Sequence, residues 1–368
     1  MKYNWQKKDW TKFRYEEDLL DNLLLDFAEK MGRVSGFLKG LSEESQLDAM
    51  IDLMVFEAIK TSEIEGEYFS RKDIMSSIRN NLGLNTKKEQ VRNKKAEGVS
   101  ELIIDVRNSY KEDLTEQKLF SWHRMLMKGS RGFQIGNWRQ HEEPMQVVSG
   151  ALGKEKVHFE APPSKTVPAE MKQFIQWFND TAPGAKHQIS KPVIRSAIAH
   201  LYFESIHPFE DGNGRIGRAI SEKALSQGAK RPILLSLSKS IESNKNKYYD
   251  SLQNAQSSNE ITNWLLYFVH MVIDAQHQAE QQIEFILRKT KFFDQFKNLL
   301  NQRQMKVVKR MLDEGIDGFE GGMNARKYIA IAQTSKATAT RDMQDLVEKD
   351  VFIPFGGGRS VHYELNLS

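Results

Sequence analysis

One stretch concentrates side chains that can do chemistry: Ile206-His207-Pro208-Phe209-Glu210-Asp211-Gly212-Asn213-Gly214-Arg215-Ile216-Gly217-Arg218. His207 is an imidazole that titrates near neutral pH and can take a proton from a hydroxyl. Asp211 is a hard oxygen ligand of the kind Mg²⁺ uses, with substrate phosphates completing the shell. Gly212 and Gly214 permit positive φ and let phosphate oxygens approach the backbone. A Gly- and Asn-rich loop that opens a helix aims N–H groups at an anion on the positive end of the helix dipole. Arg215 and Arg218 are planar, permanently charged forks suited to phosphate. Together these residues describe phosphoryl or nucleotidyl transfer, in which a base activates a hydroxyl while an anion hole, a metal and two arginines manage the phosphate charge.

Two helices must hold this loop. Before it, Val193, Ile194, Ala197, Leu201 and Phe203 recur every three to four residues, which predicts an amphipathic helix. Pro208 cannot continue that helix and restrains His207 towards an extended conformation. After the loop, Arg215 to Leu225 again reads as helix.

His207 to Arg218 resembles the signature of the Fic family, H-P-F-x-[D/E]-G-N-G-R-x-x-R, at every specified position. The resemblance implies a mainly α fold with a helical catalytic core. It also implies transfer of AMP from ATP to a Ser, Thr or Tyr hydroxyl of a protein, with Mg²⁺. By position, His207 is the general base and Asp211 the metal ligand. Asn213 and the Gly212 and Gly214 amides hold the α-phosphate, Arg215 the diphosphate and Arg218 the γ-phosphate. Ile216 and Gly217 lie in the same nucleotide-contacting run, and Phe209 is a core anchor. Doc-type relatives, which transfer phosphate, carry Lys where this chain has Gly214, and that branch is disfavoured.

Upstream, Leu47, Met50, Ile51, Met54, Val55, Ala58 and Ile59 form a broad apolar stripe on a helix from about Ser45 to Glu65. Gly66 is placed to end it. Glu63 and Glu65 then meet the negative end of the helix dipole, so a group outside the helix should compensate at least one of them. Thr61 to Gly66 resembles the family's inhibitory motif, [S/T]-x-x-x-E-[G/N]. The resemblance implies that Glu65 pairs with Arg218 and blocks the γ-phosphate position. A hundredfold inhibition needs only about 2.8 kcal/mol of preference.

The remaining elements read as support. The 368 residues are ample for two or three domains, with no cysteine, a net charge of +4 and a globular balance of charged and hydrophobic residues. No apolar run approaches the roughly 18 residues that span a bilayer, and the opening residues do not read as a signal peptide, so a cytoplasmic protein without a membrane partner is expected. A helix from about Glu16 has Leu19, Leu20, Leu23, Leu24 and Phe27 on its apolar side, with Gly32, Gly36 and Gly40 breaking up the residues after it. Tyr68 to Leu84 reads as a short helix. His123, on an apolar helix, is expected to be packed and hydrogen-bonded, and His141 and His158 are too isolated for metal ligation. Gly136-x-Trp138-Arg139 resembles a family landmark.

Met145 to Ser149 and Lys156 to Glu160 alternate about a turn at Gly150 to Lys154, which predicts a β-hairpin. By resemblance this is the flap (145–160) on which the target protein docks. Tyr248 and Tyr249 fall on a helix that, by resemblance, lines the adenine side. Trp264 to Leu287 reads as one long helix, and the polar Gln276 to Gln282 continues it as a linker towards the last domain. From Asn301 the pattern helix, helix-turn-helix and hairpin is that of a winged helix, a tail that the resemblance also places after many bacterial Fic cores. The expected organisation is 1–95 with the inhibitory helix at 45–66, a core at 96–290 and a winged-helix domain at 300–368.

DNA contact by that tail would use Lys336 to Arg341 and Arg359. Asp342, Asp345, Glu348 and Asp350 oppose it, which favours protein interaction or dimerisation. A homo-oligomer stays open. So do a DNA-binding regulator with a nucleotide-sensing Fic region, transfer of another phosphate-containing group, and removal of AMP assisted by Glu65.

Overall fold

The helix that leads into His207 is apolar on nearly every side. In Pro192–Ile206 every residue after Pro192 is buried, including Arg195, His200 and Glu204. Such a helix belongs at the centre of a core. In the computed structural model, which describes residues 3–149, 156–233, 235–316 and 318–367, this helix lies in the first of two compact units. That unit is Met1–Ser35 with Met50–Ala279; the second is Gly36–Ala49 with Glu280–Ser368.

The first unit holds most of α1 (Asp21–Lys39) and α2 (Glu43–Ile64), then α3 (Arg71–Asn81), α4 (Lys94–Asn108) and α5 (Glu116–Leu126). A hairpin of β1 (Gln146–Ser149) and β2 (Lys156–Glu160) precedes α6 (Val167–Asp180), α7 (Pro192–Ile206) and α8 (Asn213–Ala229). The short helices α9 (Leu237–Ser243) and α10 (Lys245–Ala255) lead to α11 (Thr262–Phe296). Val193, Ala197 and Leu201 of α7 pack with Leu225 of α8, Leu252 of α10, and Trp264, Leu265 and Val269 of α11 in one cluster. The indole N–H of Trp264 donates to the carbonyl of Ala197 at 2.9 Å, which fixes α11 against α7.

Three expectations are corrected by the structure: the glycine breaks, Leu19 and the start of α3. α1 runs unbroken through Gly32 and Gly36. An interior glycine costs about 1 kcal/mol relative to alanine, whereas burying one large apolar side chain gains about 1.5–3 kcal/mol. Phe27, Val34 and Leu38 are all buried along this helix, so packing outweighs propensity. Leu19 is exposed rather than part of that face. α3 begins at Arg71, not near Tyr68: Ser70 is its N-cap, with its hydroxyl accepting from the Asp73 N–H at 3.0 Å. The polar stretch Gln276 to Gln282 continues the long helix α11 as expected, with Gln276 and Gln282 both buried.

The hairpin is antiparallel, with Val147 opposite Phe159 and Val148 opposite Val157, and its register shifts between Val147 and Val148. Its base is tied down. Phe159 is buried and meets the Tyr3 ring edge-on at 5.0 Å. The Trp5 indole donates to the Glu160 carbonyl at 2.7 Å, and the Gln253 amide to the His158 carbonyl at 3.1 Å. The turn expected at Gly150 to Lys154 and the side chain of Arg359 lie outside the described residues.

The second unit adds α12 (Gln302–Leu312), α13 (Ala325–Ala332), α14 (Lys336–Glu348), β3 (Phe352–Phe355) and β4 (His362–Leu365). Val307, Met311, Tyr328, Met343, Leu346 and Phe352 are among its core. The expected outward acidic face of α14 is corrected. Asp342 is buried, takes a two-pronged bond from Arg303 at 2.8 and 3.0 Å, and accepts from Tyr328 at 3.1 Å. Asp345 accepts from the Gln304 amide at 2.6 Å. These carboxylates hold helices together, so they do not count against an anionic partner. Lys336 and Arg341 are exposed.

Candidate active site

α7 stops because residue 208 is proline, and His207 takes the C-cap in a left-handed conformation, φ 50° and ψ 61°, rather than the extended one expected. A non-glycine residue there costs on the order of 1–2 kcal/mol, and one buried side chain supplies the restraint. Arg139 is 1% exposed. Its guanidinium donates to the carbonyls of His207 at 2.8 Å, Ile206 at 3.3 Å and Pro162, and to the Ser164 hydroxyl at 2.8 Å. Its backbone N–H donates to the Pro208 carbonyl at 2.9 Å. Burial lowers this guanidinium to about 10, which leaves it charged at neutral pH. The Gly136-x-Trp138-Arg139 stretch therefore shapes the backbone around His207.

Phe209 is fully buried and stacks on His123 at 4.1 Å, with Trp138 at 5.0 Å. His123 is buried, its Nδ1 accepts the Gly136 N–H at 2.9 Å, and burial lowers it to about 4, so it is neutral and structural. The loop is closed by Asn213, whose amide accepts from the Phe209 N–H at 2.9 Å and donates to the Phe209 carbonyl at 2.8 Å. Both ends of that side chain are committed. Its contribution to an anion is thus its backbone N–H at the first turn of α8, not the side chain.

The two glycines act differently. Gly212 has φ 82°, and a Cβ there would sit 2.5 Å from the Met127 methyl. Gly214 is helical, so the expected positive φ is corrected. Its need is room, because a Cβ would lie 2.7 Å from Glu65 Oε1. Ile216 is fully buried in the core, and its side chain is not available to a ligand. Gly217 packs against Glu204.

Both arginines are buried and both are held by carboxylates from the end of α2. Arg218 donates to the Thr61 hydroxyl at 2.8 Å, the Thr61 carbonyl at 3.0 Å and Glu65 Oε1 at 2.8 Å. Burial works to lower its pKa, and the adjoining Glu65 overcomes that and raises it. Arg215 donates to Glu67 Oε2 at 2.6 Å, and Asp211 stands 3.6 Å away. Glu67 also accepts from Lys95 at 2.5 Å.

A six-residue cap sets this up. Gly66 has φ 77°, the Glu67 N–H bonds the Ser62 carbonyl at 2.9 Å and the Gly66 N–H the Glu63 carbonyl at 3.0 Å. That is a Schellman turn, which satisfies the last carbonyls of α2. It also leaves Glu65 and Glu67 one turn of α8 apart on the two arginines. Lys245 donates to the Ile64 carbonyl. Glu63 pairs with Lys60 at 2.6 Å, so each carboxylate at this helix end has its cation.

The tyrosine pair is split. Tyr248 is buried and its hydroxyl sits 2.7 Å from His200 Nε2, which corrects the expectation that it lines a pocket. Tyr249 is 38% exposed. Burial raises Tyr248 well above the ordinary phenol range and lifts Tyr249 to about 12. His141, unassigned from sequence, lies 3.3 Å from Glu210.

Among the described residues no three His, Cys, Asp or Glu side chains cluster to hold a metal ion. Asp211 has a side chain 59% exposed, with one oxygen on the Gly212 N–H at 2.6 Å, while its neighbour Glu210 turns to His141. That donor set fits a cation completed by substrate phosphates, as Mg²⁺ prefers, and not an all-protein cage. No helix of the described residues is long and apolar enough to cross a membrane.

Sequence reasoning missed Arg139 as a backbone clamp, Glu67 as partner of Arg215 and Glu204 beside His207. Arg139 carried a signal in the Gly136-x-Trp138-Arg139 stretch and Glu204 in its place three residues before His207, whereas Glu67 reads as a solvated acid.

Residues 113–225 match the Fic/DOC family, and residues 3–84 match a domain of unknown function, DUF4172. A probable protein adenylyltransferase of Aquifex aeolicus is 29% identical over 147 residues, 40% of this chain and 38% of that protein. A protein adenylyltransferase Fic of Culex quinquefasciatus is 29% identical over 152 residues, 41% of this chain and 27% of that protein. The matches thus span less than half of these curated relatives. The fold is similar to a Fic family protein from Desulfovibrio desulfuricans, with TM-score 0.53, 19% identity, and 94% of this chain and 96% of that one covered. A Fic domain containing signaling protein from Bacteroides thetaiotaomicron gives TM-score 0.54 at 16% identity, covering 72% of this chain and 98% of that one.

Proposed function

We propose, from the premise that this chain belongs to the Fic family through residues 113–225, that it is a protein adenylyltransferase moving AMP from ATP to a protein hydroxyl. The observation that carries this reading is that one short loop joins His207, at the end of α7, to the amino end of α8, whose first turns hold two buried arginines. In the reaction, His207 takes the proton of a Ser, Thr or Tyr hydroxyl. The freed oxygen attacks the α-phosphorus of ATP, the bond to the β-phosphate oxygen breaks, and pyrophosphate leaves. The backbone N–H groups at Gly212 to Gly214 meet the α-phosphate, Arg215 the diphosphate and Arg218 the γ-phosphate. Asp211 is the residue that would hold Mg²⁺, which supplies charge neutralisation at the phosphates. The exposed valines of the flap, Val148 and Val157, suit a target segment added alongside the hairpin by backbone pairing.

The resting state is held off by the carboxylates. ATP's γ-phosphate and Glu65 compete for one guanidinium, and its β-phosphate and Glu67 compete for the other. A preference of about 2.8 kcal/mol at Arg218 alone gives hundredfold inhibition, within reach of a charge-assisted buried pair. The test is ATP labelled separately on the α- and γ-phosphates. Glu65→Gly should incorporate the α-label strongly, wild type weakly and His207→Ala not at all. Incorporation of the γ-label instead would make the protein a kinase-like phosphate donor and overturn the proposal.

A further inference from the structure

The buried acid at Glu204 takes no part in the transfer chemistry proposed for His207, yet it sits against that base. Its side chain is 5% exposed, and its Oε2 lies 3.5 Å from His207 Nδ1. His207 Nδ1 and Glu204 Oε1 are both fully buried and neither makes a hydrogen bond. Buried polar atoms nearly always have partners. The oxygen that faces Nδ1 is Oε2, at the outer edge of hydrogen-bonding distance, so the two side chains meet across a bond that is held slightly open. Bonds to catalytic groups are often long before substrate binds and tighten with it.

The fold makes room for this carboxylate. Glu204 is in the last turn of α7, three residues before His207, so its side chain rises under the ring. On the facing side α8 carries Gly217, where a Cβ would collide with Glu204 Oε1. The other charged or titratable groups that face it are His200 on α7, Arg218 on α8, and Tyr248 and Tyr249 on α10. Of these, Arg218 is committed to Thr61 and Glu65, and His200 to Tyr248 and Ser221. Burial would raise the Glu204 carboxyl, but the His207 contact and the charges of His207, His200 and Arg218 hold it below its ordinary value.

We infer that Glu204 is a positioning residue: its carboxylate fixes the imidazole proton of His207 on Nδ1 and leaves Nε2 bare as the base. The inference rests on the adenylyl-transfer reading for what Nε2 does, but its structural content is independent of it. The proton moves from the substrate hydroxyl to Nε2, the ring becomes cationic, and Glu204 stabilises that cation through Nδ1–H. A neutral ring with the proton on Nε2 would present a donor where an acceptor is required.

The first readout is the side-chain ¹⁵N spectrum of His207 in Glu65→Gly protein, assigned by comparison with His207→Ala. The expected result is a predominant Nδ1–H tautomer; a predominant Nε2–H tautomer overturns the inference without any variant at 204. The second is Glu204→Gln in the Glu65→Gly background. Base catalysis contributes about 10²–10⁴-fold, and loss of its orientation should lower kcat by roughly tenfold or more. The KM for ATP should stay within about twofold, the acid limb of the rate should move to lower pH, and Glu204→Asp should recover part of the rate. An unchanged tautomer and pH profile in folded Glu204→Gln protein would make Glu204 a packing residue only. Activity persisting in His207→Ala would instead sink the adenylyl-transfer reading, whatever the tautomer shows.

Discussion

Arg139 shows how much of a site is decided away from the reacting atoms. One guanidinium binds three carbonyls and a hydroxyl and so fixes the backbone that presents His207. Lysine keeps the charge but not the fork. Arg139→Lys, in the Glu65→Gly background, should lower AMP transfer more than tenfold and reduce the melting temperature, measured by α-label incorporation and calorimetry. Retained rate would show that Pro208 and Phe209 suffice to hold the loop. At this scale the residue types on which the proposal rests are readable in the sequence. His207, Asp211, Arg215 and Arg218 stand out by type and spacing, and Phe209 and His123 fall where apolar patterning puts them. Ile216, Gly217, Tyr248 and the Asn213 side chain were not legible as structural. Spacing says that a residue is near a loop, whereas three-dimensional packing decides which way its side chain turns.

At the scale of elements, the proposed regulation rests on the end of α2. The Schellman turn at Gly66 places Glu65 and Glu67 together, so on that reading the inhibitory contact is a property of the cap and not of one residue. Glu67→Gln should release Arg215 and raise α-label incorporation about threefold to tenfold, corresponding to roughly 0.7–1.4 kcal/mol. The pair Glu65→Gly with Glu67→Gln should exceed either alone. If Glu67→Gln only lowers activity, Glu67 supports the site instead of restraining it. The helix itself and its glycine stop were readable from periodicity. Arg215's partner was not, because nothing local in Glu67 distinguishes it from a solvated acid. α1 went wrong for the opposite reason: the local signal of Gly32 and Gly36 was clear and the buried face of Phe27, Val34 and Leu38 overrode it.

For the whole molecule, charges held away from the site set part of the stability. Burial, aided by Glu57, pushes the Glu222 carboxyl up to about 8 from 4.5, with Arg107 opposing. In that interval the folded state keeps a proton that the unfolded chain has released, so stability falls as pH rises from about 5 to 8. Glu222→Gln should flatten the melting temperature over that range; an unchanged slope would place the dependence elsewhere. In the second unit, Asp342 joins Arg303 of α12 and Tyr328 of α13 to α14. Asp342→Ala leaves the buried Tyr328 hydroxyl without its acceptor and should destabilise that unit by about 1–3 kcal/mol, read as an earlier transition in thermal unfolding. Length alone suggests two or three domains, and the division between the two compact units falls inside the continuous helix α11, at Ala279.

The central proposal is that His207 delivers AMP from a pocket that Glu65 restrains, and intact mass spectrometry reads that directly. Glu65→Gly protein incubated with ATP and Mg²⁺, alone and with candidate substrate proteins, should yield an adduct of one or more AMP moieties. The double variant Glu65→Gly with His207→Ala should yield none. An adduct of phosphate alone, or AMP addition that survives loss of His207, would contradict it.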